Sequence, residues 1–139
     1  MATQLDPERI DPSAEQFETL AEAAWNVREN AYTFGHTKVG AAVLSADGEM
    51  FLGCNVEHRF RCHDVHAEVN AITSMVTSGR TQLVAIVIAA ERERFTPCGS
   101  CMDWIYQFGQ GSCQVGYQTV PGGKIIILTA EELMPYYPM

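Results

Sequence analysis

The sequence has no apolar run long enough to cross a bilayer: the longest, Leu83 to Ala90, is under half of the roughly 20 residues a spanning helix needs. Its opening, Met1-Ala2-Thr3-Gln4-Leu5-Asp6, carries neither the basic nor the apolar stretch of a secretory signal, which predicts a cytoplasmic protein with no membrane partner. Basic residues are scarce. Nine Lys and Arg stand against 17 Asp and Glu, a net charge of −8, so the phosphate-neutralising surface on which polyanion binding rests is thin. No nucleic-acid partner is expected, and a small, weakly charged substrate fits better. The local exception would be Arg59, Arg61, Arg80, Arg92 and Arg94, if the fold gathers them into one basic patch. Nor is there a disulfide framework, because five cysteines is an odd number in a chain without an export signal.

What is present suits one packed domain: 47% of the residues are hydrophobic and 19% charged. Residues 1–12, with Asp6-Pro7 and Asp11-Pro12, read as a loose leader, and 13–139 as the domain. Ser13-Ala14-Glu15-Gln16 is a capping-box pattern opening a helix to about Thr33, with Phe17, Leu20, Ala21, Ala24, Trp25 and Val27 or Arg28 on its inner face. Lys38–Ser45 and Met50–Val56 are β-prone, and Ala46-Asp47-Gly48-Glu49 between them predicts a hairpin. A helix is expected from His66 to Ser78, stopped by Gly79, and then a strand buried on both faces at Leu83–Ala90. Pro97 precedes another helix reaching about Phe108 and ended by Gly109. Strands at Ser112–Tyr117 and Lys124–Thr129 and a short helix near Ala130 complete the chain. The order α-β-β-α-β-α-β-β-α implies an α/β fold, a mixed sheet of about five strands with helices on both faces.

The His66 and Cys98 segments both open helices that follow strands, and such helix starts collect at one edge of the sheet. Cys98-Gly99-Ser100-Cys101 puts two thiols on one turn, where helix-terminal amides favour thiolates. His66 offers a third ligand, which is the number a catalytic zinc takes while one position stays open. Glu68 lies two residues on, aimed beside the metal rather than at it, as a proton carrier. Cys54, Cys62 and Cys113 lack ligand spacing and read as small packed hydrophobes, and His36, His58 and His63 as surface groups. A redox dithiol or a closed structural zinc site is the competing reading, and it explains neither His66 nor Glu68.

His-x-Glu followed by Pro-Cys-x-x-Cys is the pattern of zinc deaminases of bases, and with it the chain resembles the cytidine deaminase superfamily over about residues 13–137. Val39-Gly40-Ala41-Ala42-Val43 and Gly53-Cys54-Asn55-Val56-Glu57 look like that family's hairpin, and Glu131-Glu132-Leu133-Met134-Pro135 its closing segment. The resemblance implies a three-layer α/β/α domain, zinc on His66, Cys98 and Cys101, and proton shuttling by Glu68. It further implies ribose contacts from Asn55 and Glu57, base contact from the Ala67 amide, and the Thr96 carbonyl on the leaving amine. An aromatic at Tyr137 in the tail Tyr136-Tyr137-Pro138-Met139 implies a homo-oligomer, a tetramer or dimer, in which that ring reaches a neighbour's pocket.

Several residues depart from the free-cytidine pattern. His66 and Val69 stand where small cytidine enzymes usually have Cys and Arg. The two changes offset one another, because zinc with two thiolates and a neutral imidazole carries no net charge for an Arg to balance. His-Ala-Glu-x-Asn-Ala at 66–71 looks like the deoxycytidylate, tRNA-adenosine and base-deaminase branch, which joins its last two strands in parallel through a helix. Here only Gln118–Gly123 links them, too short for a parallel crossover, so the last two strands are expected antiparallel, as in free-nucleoside enzymes. Thr37 replaces the usual base-stacking aromatic, His58 the Asn after the ribose-binding Glu, and Phe60-Arg61-Cys62 alter the following loop. The expected activity is hydrolysis of cytidine or deoxycytidine to the uracil nucleoside and ammonia, as in pyrimidine salvage. The alternative is a modified cytosine nucleoside, blasticidin S-like, or another aminated heterocycle.

Overall fold

The computed structural model describes residues 4–138, so residues 1–3 of the expected leader and Met139 of the tail lie outside the described residues. Helix α1 (Ala14–Arg28) opens on the full capping box: Ser13 Oγ accepts from the Gln16 amide at 3.1 Å, and Gln16 Oε1 accepts from the Ser13 amide at 2.9 Å. It ends at Arg28, not near Thr33. The amides of Glu29, Asn30 and Ala31 turn to carbonyls three residues back, and Tyr32 then pairs with the segment at Asn55–Glu57. Tertiary pairing captures residues that local periodicity assigned to the helix.

Strands β1 (Gly40–Ser45), β2 (Met50–Cys54), β3 (Leu83–Ala89), β4 (Gln114–Gln118) and β5 (Ile126–Thr129) form one sheet in the order β2-β1-β3-β4-β5. Only β3 and β4 are parallel; β1–β2, β1–β3 and β4–β5 are antiparallel, so the short Gln118–Gly123 link does make a hairpin. Strand β1 alternates as the pleat requires. Ala42 and Leu44 join Phe17, Leu20, Ala24 and Trp25 of α1, while Ala41 and Val43 face the layer of α2 (Ala67–Thr77) and α3 (Gly99–Gly109). Strand β3 supplies Ala85 and Val87 to the first core and Ile86 and Ile88 to the second, buried throughout as its continuous apolar run predicts. This is a three-layer α/β/α arrangement. A short helix, α4 (Ala130–Leu133), closes the chain.

Gly109 belongs to α3 rather than following it, and Gln110 caps the helix with a positive φ of 59° and an extended ψ of −171°. The glycine serves close approach, since a Cβ there would stand 2.8 Å from Cys113 Cβ and 3.0 Å from the Leu83 carbonyl oxygen. Residues 4–12 carry no helix or strand, yet the Asp6 amide donates to Gln82 Oε1 and the Ile10 amide to the Ala46 carbonyl. The five arginines do not gather into one patch. Arg80 precedes β3 and pairs at 3.0 Å with Asp47 in the β1–β2 turn, whereas Arg92 follows the other end of β3. No helix among the described residues is long and apolar enough to cross a membrane.

Candidate active site

Strands β2 and β3 both run antiparallel to β1, so their C-terminal ends share one edge of the sheet, and α2 and α3 start there. His66 and Cys98 occupy the N-cap positions of α2 and α3 in extended conformation, and neither side chain caps its helix. Freed from capping, they face one another. His66 Nδ1 lies 3.2 Å from Cys101 Sγ and 3.5 Å from Cys98 Sγ, and the donor atoms of the trio fall within 4.8 Å of one another. A tetrahedral zinc, with bonds of about 2.1 Å to nitrogen and about 2.3 Å to sulfur, separates such ligands by about 3.6 Å. The trio therefore fits that ion. Among the described residues no fourth His, Cys, Asp or Glu joins the group.

Glu68 sits in the first turn of α2 and is 4% exposed. Burial raises its carboxyl above the ordinary carboxylate range, against the opposing pull of its own backbone amide, His66 and Cys101. Burial likewise raises the Cys101 thiol, with Glu68 and Cys98 adding to it. A bound dication is what reverses that preference and holds a thiolate there. The remaining cysteines stay apart: Cys113 is buried and its thiol pushed up to about 12, and Cys54 is half-buried. Cys62 is exposed on a single 3-10 turn (Arg61–His63), which corrects its reading as a packed hydrophobe. His36, His58 and His63 are exposed as expected.

His66, Cys98 and Glu68 border a cleft of about 330 Å³, within the range of small-ligand sites, while Cys101 is buried behind them. Thr37, Asn55, Glu57, Ala67 and Thr96 line it too, so the structure brings these expected residues together. The bonds made by two of them were not visible in sequence. Asn55 Oδ1 accepts from the Val39 amide (2.8 Å) and its Nδ2 donates to the Thr37 carbonyl (2.9 Å). Glu57 Oε1 accepts from the Phe34 and Gly35 amides at 2.7 and 3.2 Å, and its Oε2 meets Arg61 at 3.4 Å. Both side chains thus fasten the 34–39 segment into the cleft wall. Arg61, Asp64, Val65 and Phe95 also line the cleft, and of these only Arg61 was singled out in the sequence. Arg61 and Asp64 pair at 2.8 Å, while Phe60 points outward and stacks on His58. Tyr137 does not line this chain's own cleft. Its ring stacks on Tyr106 at 4.1 Å between centroids, and its hydroxyl is bonded to Asp103.

The seating of α2 depends on one glycine. A Cβ at Gly53 would stand 2.3 Å from the Ala71 amide nitrogen and 2.5 Å from the Ala67 carbonyl oxygen, contacts that backbone cannot yield. Asn70 Nδ2 ties the same helix to the Cys54 carbonyl at 3.0 Å. Gly53→Ala is expected to displace the turn carrying His66 and Glu68, destabilise the fold by about 3 kcal/mol, and lower zinc occupancy. Thermal unfolding and metal analysis read both effects; unchanged zinc content would show that α2 does not rest on this contact.

Comparison with known proteins bears on the same residues. A family model described as the cytidine and deoxycytidylate deaminase zinc-binding region matches residues 14–117. A cytidine deaminase of Sporosarcina psychrophila is 34% identical over 120 residues, covering 85% of this chain and 88% of that protein. One from Halalkalibacterium halodurans is 32% identical over 118 residues, covering 84% and 89%. The crystal structure of cytidine deaminase from Burkholderia pseudomallei superposes with a TM-score of 0.77 at 31% identity, covering 85% of this chain and 95% of that one.

Proposed function

The chain belongs to the cytidine and deoxycytidylate deaminase family and is a zinc-dependent deaminase hydrolase, and from that premise we propose that it converts cytidine or deoxycytidine to the uracil nucleoside and ammonia. The observation that carries this reading is a His66–Cys98–Cys101 trio with a buried carboxyl beside it, opening on a nucleoside-sized cleft. In this reading the trio holds the metal, which when bound supplies the Lewis acidity that makes water a nucleophile at neutral pH. Glu68 accepts a proton from the attacking water, passes it to the ring nitrogen, and delivers the next to the departing amine. The Ala67 amide, in the first turn of α2 where backbone donors lack intrahelical partners, meets the base; the Thr96 carbonyl accepts from the leaving amine. Asn55 and Glu57 hold the wall on the ribose side.

A second reading, a modified cytosine nucleoside of the blasticidin S kind or another aminated heterocycle, rests on Thr37, Arg61 and Asp64 in the cleft wall. Ammonia release measured across cytidine, deoxycytidine, cytosine, blasticidin S and aminopurines separates the two. The expected outcome is the highest kcat/KM with cytidine or deoxycytidine, and an aminopurine outpacing both would overturn the assignment. A homotetramer, or a dimer, belongs to the same proposal, with Tyr136, 97% exposed beside Tyr137, in the covered surface. Light scattering at the 15.4 kDa of a single chain would remove that part.

A further inference from the structure

A second concavity, of about 210 Å³, meets the cleft at Thr37, which lines both. Its other walls are Arg28, His36, Lys38, Glu91 and Arg92. Three cations and one carboxylate face this small space, in a chain whose acidic residues outnumber its basic ones by 17 to 9. Glu91 is already engaged with Arg28 at 3.7 Å, and Arg28 also meets Glu29 and donates from Nε to the Lys38 carbonyl. Arg92 donates from Nη2 to Thr37 Oγ1 at 2.6 Å and, like Lys38, has no carboxylate partner among the described residues. The junction is also rigidly built. The Arg28 bond to the Lys38 carbonyl and both Asn55 bonds fix the backbone of 37–39 before any ligand arrives.

We propose that this concavity binds an anionic oxygen group, phosphate or carboxylate, carried by the substrate whose aminated ring occupies the adjoining cleft. Arg92 and Lys38 are its ligands, and the substituent crosses from one space to the other at Thr37, which lines both. The inference rests on the deaminase reading of the cleft. It departs from the expectation of a weakly charged substrate, since scarce cations converge at one place even though the net charge is negative.

The test is calorimetric titration of zinc-loaded Glu68→Gln protein, in which ligands are not consumed. The ligands are cytidine, cytidine 5′-monophosphate (anion on the sugar), 5-carboxycytidine (anion on the base) and inorganic phosphate. At least one anionic nucleoside is expected to bind tenfold or more tightly than cytidine at low salt. That advantage should fall at least fivefold in Arg92→Gln and in Lys38→Gln, each checked for unchanged zinc content and melting temperature. Two outcomes overturn the proposal: neither anionic nucleoside outbinds cytidine, or the advantage survives in both variants. A third is inorganic phosphate binding undiminished beside saturating 5-carboxycytidine and cytidine 5′-monophosphate, which would assign the concavity to a separate free anion. Equal affinities together with brisk ammonia release from cytidine in the wild-type protein would sink this inference alone. A retained affinity difference with no ammonia release from any ligand by the wild-type protein would sink the deaminase reading instead.

Discussion

Replacing Glu68 by Gln is expected to leave the protein folded and zinc-loaded while lowering kcat by on the order of 10³- to 10⁴-fold, the upper range for loss of a positioned acid–base group. Glu68 is not among the donor atoms that cluster with His66, Cys98 and Cys101, so metal content should not follow turnover. Gln matches the buried side chain in size but has no basic site to take a proton from water. The stability effect has the opposite sign. Burial raises the Glu68 carboxyl, so in the zinc-free protein its contribution is full below the carboxyl's unfolded pKa and is lost as pH rises through the raised folded value. The zinc-free Gln variant should therefore melt no lower than the zinc-free parent at neutral pH, a site residue that trades stability for activity. Wild-type turnover in a zinc-loaded variant would remove Glu68 from the reaction.

The metal trio was legible in the sequence for a topological reason. His66 and Cys98 each follow a strand and open a helix, and two such helix starts meet at one edge whatever the loops between them do. The β4–β5 hairpin was legible because the Gln118–Gly123 link is too short to cross over. What stayed hidden depends on contacts between distant segments. The end of α1 is decided by Tyr32 pairing at Val56, and the wall of the cleft by Asn55 and Glu57 bonding amides some twenty residues upstream. Neither has periodicity or spacing to announce it. The basic concavity is hidden for the same reason: Arg28, Lys38 and Arg92 come from the end of α1, the approach to β1 and the exit of β3. Their net charge in sequence is swamped by acids elsewhere on the surface.

Cys101→Ser is expected to abolish zinc retention, and Cys113→Ser to preserve it, although both replace a buried thiol by a hydroxyl. At Cys101 the change removes one of the three protein donors that cluster among the described residues, leaving His66 and Cys98. Losing an outer hydrogen-bond partner of a metal ligand weakens affinity by roughly 10- to 100-fold, and losing the ligand itself must exceed that. Dialysis against a mild chelator should strip the variant completely and take ammonia release to background. At Cys113 the thiol lies against Gly109 in the second core and reaches only the Gln114 carbonyl, at 3.9 Å. A hydroxyl there is poorly satisfied and should destabilise the fold by about 1–3 kcal/mol without touching the metal. Zinc content and melting temperature thus move on different axes in the two variants. A Cys101→Ser protein that keeps stoichiometric zinc would mean the metal is held by residues other than this trio, while zinc loss from Cys113→Ser at an intact fold would tie the second core to the site.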